Sequence, residues 1–288
     1  MTQNIDAFQH FSSYAKKYSD NYSPDLNNEY YPNHIYRLNI FLNLLNQIKP
    51  KKLLDIGCGN GEPIKSFLRA GHDAYGFDYS DEMVQQANAN LFKDGFDPTR
   101  ISKNNMDELY GISNDEFDCM VGLGSLYYSR NFNETINKIT SLLPKNGHLI
   151  FSLRNELFSL FSLNEYTYDF YVNKLMPSSE MAPETRADLN RSLSLAFLND
   201  SHKKKFQTTD DKKVFSTYHN PLTVNSEILK PNGLILEGIY YYHYHAMPPI
   251  FEHVHTKEFR ELSAKMEDPL DWRGAFLCST FVVHAVKE

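Results

Sequence analysis

Tryptophan and cysteine are nearly absent from this sequence, with one Trp and three Cys among 288 residues. The cysteines, Cys58, Cys119 and Cys278, are scattered, odd in number and set in apolar runs, and no CxxC or Cys/His zinc spacing occurs. That usage excludes a disulfide framework and fits thiols kept reduced as small core residues. Positive charge is also short, since 29 Lys and Arg against 36 Asp and Glu leave a formal net charge of -7. A large nucleic-acid footprint needs clustered cations to replace phosphate counterions, so no nucleic acid is expected as a partner. The one basic run, Lys203-Lys204-Lys205, reads as a solvated loop. Met1 to Asp6 show no basic segment followed by an apolar one, and no apolar run approaches the roughly 18 residues of a spanning helix. These absences predict a soluble, cytoplasmic protein with no membrane partner.

What is abundant is aromatic, 19 Tyr and 20 Phe. Tyrosine in such numbers suits a lined cavity as well as a core, because each ring carries a polar tip. The stretch that organises the chain is Leu53-Leu54-Asp55-Ile56-Gly57-Cys58-Gly59-Asn60-Gly61. It reads as a short buried strand running into a glycine turn, followed from about Glu62 by a helix pattern through Ile64, Phe67 and Leu68. Glycines let the backbone turn tightly and approach a ligand, and the helix start adds unpaired N–H groups.

The spacing narrows the ligand. A dinucleotide fingerprint places its third glycine where this chain has Glu62, and here that glycine comes one residue early, at Gly61. The pattern is Asp-x-Gly-x-Gly-x-Gly, from Asp55 to Gly61. It resembles the first motif of the class I S-adenosylmethionine-dependent methyltransferases, in which the glycine turn lies against the methionine part of the cofactor. Asp73 to Ser80 reads as a second strand ending in Asp78, about 20 residues after the turn, where a βαβ unit places a carboxylate for ribose hydroxyls. An N-cap or turn role for Asp78 is the competing reading.

Beyond the turn the chain alternates. A helix with Met83, Val84 and Ala87 inward precedes a third strand and loop over Arg100 to Leu109. In the resembling family that loop recognises adenine, which puts Asn105 and Met106 in the role, or Asp107 if the alignment slips by two. Phe117 to Leu126 reads as a buried fourth strand whose end faces the cofactor site, and the resemblance implies that Leu123 and Gly124 lie beside the cofactor and Tyr127 or Tyr128 near the transferring methyl. A helix over Phe132 to Leu143 leads to a fifth strand, His148 to Leu153. From the resemblance, Asp55, Gly57, Cys58, Gly59, Gly61, Asp78, Tyr79, Asn105, Met106, Leu123 and Gly124 are the expected cofactor contacts.

The fold expected is α/β: a doubly wound, mostly parallel seven-stranded sheet with an antiparallel C-terminal strand, plus a helical and aromatic lid insertion. Its parts are a helical cap over 1–50, the cofactor-binding core over 51–153, the insertion over 154–221 and the completion of the sheet over 222–288. In the cap, Ile35, Leu38, Phe41, Leu42 and Leu45 recur at helical spacing, and Tyr14, Tyr18, Tyr30 and Tyr31 are candidates to close over the cofactor. In the insertion, Pro183 opens a helix with Leu189, Leu193, Ala196 and Phe197 on one face. That insertion reads as a substrate lid or as an accessory cap that touches no substrate. Leu234 to His245 reads as a long sixth strand, Thr256 to Met266 as a helix and Ala275 to Val286 as the last strand.

Methyl transfer to a hydroxyl profits from a base, and histidine titrates in the right range. His243 and His245 alternate on one strand and so share a face, and His253 and His255 repeat the spacing. Three readings stay open: polar residues bonded to neighbours, a general base or acceptor-orienting residue among His243, His245 and His219, or a metal site from the two His-x-His pairs. The expected catalytic set is His243, His245, His219 and Tyr128, with no metal.

The reading as a whole is an enzyme that binds S-adenosyl-L-methionine and methylates a small polar acceptor, on oxygen, a sugar or another hydroxylated metabolite being suited to the aromatic lid. A catalytically silent methyltransferase-like binding protein and a nicotinamide-dependent oxidoreductase are the rivals. The expected partner is a small-molecule substrate, and a homodimer stays open.

Overall fold

The computed structural model describes residues 22–28, 30–177, 180–198 and 215–288. Tyr14, Tyr18, the first helical piece of the cap and Lys203 to Lys205 lie outside the described residues. Helix α1 (Asn33–Ile48) buries Leu38, Phe41, Leu44 and Leu45 on one face, with Arg37 among them, and stops at Lys49, which is left-handed. Strand β1 (Leu53–Ile56) is buried at every position, the run expected of a central parallel strand covered on both faces. Then follow α2 (Glu62–Arg69), β2 (Ala74–Asp78), α3 (Asp81–Lys93), β3 (Ile101–Lys103), β4 (Cys119–Gly122), α4 (Phe132–Leu142) and β5 (His148–Asn155). Ser80 caps α3, accepting the Met83 N–H, so the carboxylate of Asp78 is not needed for that cap.

The insertion contributes short helices α5 (Ser159–Ser162) and α6 (Glu165–Phe170) and the longer α7 (Pro183–Phe197). Pro183 stands in the first turn of α7 as expected, but no residue of α7 is fully buried. Leu189, Leu193 and Phe197 are half-buried and Ala196 is exposed, so the expected apolar face is only partly covered. The chain rejoins the sheet at β6 (Tyr218–His219) and continues through β7 (Leu234–Tyr244), α8 (Thr256–Lys265), the turn α9 (Gly274–Leu277) and β8 (Cys278–Lys287).

The sheet order is β3-β2-β1-β4-β5-β8-β7, with β6 paired to the end of β5. All pairings are parallel except those of β8, which runs antiparallel to β5 and β7. The expected architecture holds, with one short extra strand giving eight in place of seven. Strand order reverses between β1 and β4, and the crevice beyond their carboxyl ends is where an open α/β sheet takes its ligand.

Three element ends differ from the periodicity. The fourth strand stops at Gly122, four residues earlier than expected, because Gly124 turns with a φ of 80° and Ser125 folds back to donate to the Ile56 carbonyl. The third strand is confined to Ile101–Lys103, since Asn104 takes the Asn105 and Tyr110 N–H groups and closes a loop. The last strand starts at Cys278, after α9, where a Cβ on Gly274 would fall 2.3 Å from the Cβ of Tyr241.

Candidate active site

The glycine turn is left-handed three times over, with φ of 74° at Gly57, 56° at Gly59 and 79° at Gly61. Each value is open to glycine and costly for any residue with a Cβ. The turn is tied to β2 by Asp78, whose Oδ2 accepts the Gly59 N–H at 2.9 Å and whose Oδ1 accepts the Ser80 N–H at 2.9 Å. Burial pushes the Asp78 carboxyl up, while the N–H groups of Ser80, Gly59 and Tyr79 pull it back down.

A cavity opens over this turn. Gly57, Gly59, Asp78, Tyr79, Asn105, Met106, Leu123, Gly124 and Tyr128 line it, as does Asp107, the alternative in the loop after β3, together with Phe77, Ser80, Met83, Asn104, Ser125 and Arg130, which were not expected as contacts. The fit to an adenosine group rests on the donor set. The two Asp78 oxygens together offer about four bonding directions, and with the Gly59, Ser80 and Tyr79 N–H groups in place they keep capacity for a ribose hydroxyl. Met83 and Met106 supply apolar walls, and Gly57 approaches Ser125 so closely that a Cβ there would lie 2.6 Å from the Ser125 Cβ. In the loop after β3, Asn105 spends its side-chain oxygen on the Asp107 N–H at 3.0 Å. Asp107 holds the loop to α4, accepting from Ser129 at 2.7 Å and Thr135 at 3.0 Å.

Asp55, Cys58 and Gly61, expected as contacts, do not line this cavity. Gly61 faces α3, where a Cβ would stand 3.0 Å from that of Ala87, so its role is close helix packing. Cys58 is buried against Gly76, with its thiol pushed well up by burial and by the nearby Asp55 and Asp78. Asp55 is fully buried in the middle of the sheet. Neither of its oxygens accepts a well-formed side-chain bond from a described residue. Burial pushes its carboxyl up to about 8, outweighing Arg37 and the Leu123 N–H, with Asp78 adding to the rise.

A second cavity of about 450 Å³ adjoins the first, and Tyr128 lines both. Its wall is drawn from distant parts of the chain: Asn33 and His34 on α1, Arg154 and Asn155 at the end of β5, Phe158, Ser159, Ser162, Asn164 and Tyr166 of the insertion, and Tyr218, His243, His245, Ser279 and Thr280. His243 and His245 come together as expected, their rings 4.6 Å apart.

The hydrogen bonds distinguish the two imidazoles. The His245 Nδ1 lies 3.0 Å from the His243 carbonyl, which can only accept, so Nδ1 carries the proton and Nε2 keeps its lone pair. The His243 Nδ1 lies 3.3 Å from the Asn33 amide nitrogen, which can only donate, and 2.8 Å from Ser279 Oγ. That makes Nδ1 of His243 the acceptor and Nε2 its N–H. Burial lowers His245 to about 4 against the pull of the His243 and Leu277 carbonyls, and lowers His243 well below the usual range, so both are neutral at pH 7.

His243 adopts a φ of 63°, a strained value for a residue with a side chain. Glu267 holds it there, accepting the His243 N–H at 3.2 Å, the Tyr244 N–H at 3.0 Å and the Tyr31 hydroxyl at 2.9 Å. Burial raises Glu267 to about 7 against those three donors. Tyr31, one of the cap candidates, also stacks on His243 at 5.3 Å, while Tyr30 is exposed.

His219 is not brought to this pair. Its ring packs tilted against Phe132 at 4.3 Å, bonds Thr217 at 2.9 Å and lines neither cavity, and burial lowers it to about 4. Its place on β6 beside Asn155 turns it toward α4. His253 and His255 are exposed on the loop before α8. Among the described residues, no three His, Cys, Asp or Glu are grouped to hold a metal ion. Arg154 and Glu267 were missed. For Arg154 a signal existed, a cation at the carboxyl end of a buried strand; for Glu267 none did.

The comparisons agree with this fold. The family model for a methyltransferase domain matches residues 30–193. An uncharacterized protein of Haemophilus influenzae is 34% identical over 123 residues, which are 42% of this chain and 48% of that one. The ubiquinone biosynthesis O-methyltransferase of Vibrio cholerae is 26% identical over 231 residues, covering 77% of this chain and 86% of that protein. The crystal structure of magnesium protoporphyrin IX methyltransferase from Synechocystis, with S-adenosylhomocysteine bound, superposes with a TM-score of 0.57 at 14% identity, over 98% of this chain and 97% of that one.

Proposed function

This chain belongs to the S-adenosylmethionine-dependent methyltransferase family, and on that premise we propose that it methylates a small polar acceptor on oxygen. The observation that carries the proposal is Tyr128, which stands in the wall of both cavities and so joins the cofactor cradle to an aromatic chamber large enough for a small metabolite. When bound, the cofactor supplies an electrophilic methyl group on a sulfonium. The residues of this chain do the rest. Asp78 and the glycine turn orient the nucleoside end. The Tyr, Phe and His walls of the second cavity exclude water and hold the acceptor in line, which is worth about 7–11 kcal/mol in well-oriented model reactions. His245 Nε2, with its lone pair kept by the bond at Nδ1, takes the acceptor hydroxyl's proton as the new O–C bond forms. The His243 Nε2–H is the complementary donor to an acceptor oxygen.

Oxygen as the methylated atom is also supported by the Vibrio cholerae relative, named an O-methyltransferase. A cytoplasmic site of action fits the three buried free thiols. No described helix is long and apolar enough to cross a membrane. The insertion serves the acceptor through α5 and α6, whose residues stand in the chamber wall.

Calorimetry with S-adenosylhomocysteine tests the cradle, and binding is expected. Incubation of the enzyme with S-adenosylmethionine and a panel of phenols, catechols and sugars then tests turnover by the appearance of S-adenosylhomocysteine. A folded protein that binds the product yet turns over no hydroxyl acceptor would establish the silent binding protein instead.

A further inference from the structure

We propose that Arg154 is the anion-binding residue of the second cavity and that the acceptor carries a carboxylate. The inference rests on the functional reading above, because it concerns the substrate class of that same chamber.

Arg154 is the last residue but one of β5, and its guanidinium reaches the cavity wall. There it donates to the hydroxyls of Tyr128 at 3.2 Å and Tyr218 at 3.4 Å, both long bonds to neutral oxygens. It lies over the rings of Tyr127, Tyr128 and Tyr218 at 5.2, 5.7 and 5.8 Å. Other arginines of the protein find carboxylates: Arg69 pairs with Asp94, Arg100 with Asp73, Arg260 with Glu252 and Arg273 with Asp271. Arg154 has no carboxylate partner among the described residues. Among the described residues no Asp or Glu lines the chamber, and burial keeps His34, His243 and His245 neutral there, with Arg37 adding to the effect at His34, so the guanidinium is the cavity's one formal charge among them.

A half-buried guanidinium without a counter-ion is an expensive arrangement unless a ligand completes it. Its five N–H groups sit in a rigid fork, and the two phenols occupy only part of it. The phenol rings fix the fork in place through cation–π contact without neutralising it. A carboxylate matches both the fork and the single charge, whereas a phosphate dianion would leave one charge unmatched. Because Arg154 bonds Tyr128, which borders the cofactor cavity, a carboxylate held here sets the rest of the acceptor between that junction and the two imidazoles. The substrate class is therefore a small hydroxylated carboxylic acid.

The test compares acids with their amides. Binding of 4-hydroxybenzoate, 3,4-dihydroxybenzoate, 4-hydroxyphenylacetate and lactate is measured by calorimetry on the full-length protein, with and without S-adenosylhomocysteine, beside the four matching amides and inorganic phosphate. At least one acid is expected to bind about 10- to 100-fold more tightly than its amide, the worth of charge-assisted hydrogen bonds. Arg154→Gln should erase that preference and Arg154→Lys should retain part of it. The inference is overturned if no acid is preferred to its amide, if phosphate binds more tightly than every acid, or if a folded Arg154→Gln keeps the preference. The acid and amide comparison on the wild type needs no variant, so a misfolded Arg154→Gln does not block it. Wild-type protein that fails to bind S-adenosylhomocysteine overturns the functional reading separately.

Discussion

Asp55→Asn probes the most unusual group of the sheet. The carboxyl is fully buried, with its pKa raised from 3.8 to about 8, first by burial. The unfolded chain releases the proton near 3.8, so between that value and 8 the folded protein binds more protons than the unfolded one. Stability from this group is fully present below about pH 4, declines as pH rises through the window and is gone above about pH 8. At about 1.4 kcal/mol per pH unit, this one residue lowers stability by about 2 kcal/mol between pH 6 and 8, and by about 6 kcal/mol across the whole window. Asparagine keeps the shape and has no proton to lose. Its carboxamide brings an unmet hydrogen-bonding demand of about 1–3 kcal/mol, which is independent of pH. Urea denaturation of both proteins at half-unit steps from pH 5 to 8.5 reads the difference. The variant is expected to show a shallower decline with pH and to gain on the wild type as pH rises. Equal slopes, or a variant that loses most ground above pH 7, would show an ionised carboxylate paired with Arg37 and refute the reasoning. Affinity for S-adenosylhomocysteine should change little, because Asp55 does not line the cofactor cavity.

The other predictions concern the turn and the chamber. Gly61→Ala, placed at a φ of 79° with its new methyl 3.0 Å from that of Ala87, should cost about 1–3 kcal/mol in urea denaturation. Asp78→Ala removes the acceptor shared by Gly59 and Ser80 and should weaken S-adenosylhomocysteine by about 10- to 100-fold in calorimetry. His245→Gln should lower kcat by about 100-fold or more with whichever acceptor is turned over. In the wild type the neutral base form is lost only as pH falls through about 4, so kcat should be flat from pH 6 to 8. A variant retaining most of the wild-type kcat would remove His245 from the chemistry.

Much of the cofactor half was legible because its information is local. Three glycines at alternate positions after a buried strand permit the left-handed turn found here, and a βαβ unit of ordinary length brings the end of β2 beside that turn. Gly57, Gly59, Asp78, Tyr79, Asn105, Met106, Leu123 and Gly124 accordingly stand on one cavity. Asp55, Cys58 and Gly61 of the same motif do not line it, since a motif states which residues recur together but not which of them face a cavity. Alternation decided that: Asp55 lies within the strand, and Gly61 faces the next helix.

The chamber is another matter. His243 and His245 were legible as a pair because residues two apart on a strand share a face. Their tautomers depend on Asn33, Ser279 and a backbone carbonyl, and Glu267, 24 positions further on, holds His243 in its strained conformation. His219 looked equivalent in the sequence and is turned to Phe132 by the short strand that pairs with β5. The sequence by itself determined the strand, turn and helix that build the cradle, through backbone geometry that neighbouring residues impose on one another. Only the tertiary structure decided what surrounds Arg154 and the imidazoles, because those contacts join segments far apart in the chain, and their distances are set by how the whole sheet and its insertion pack.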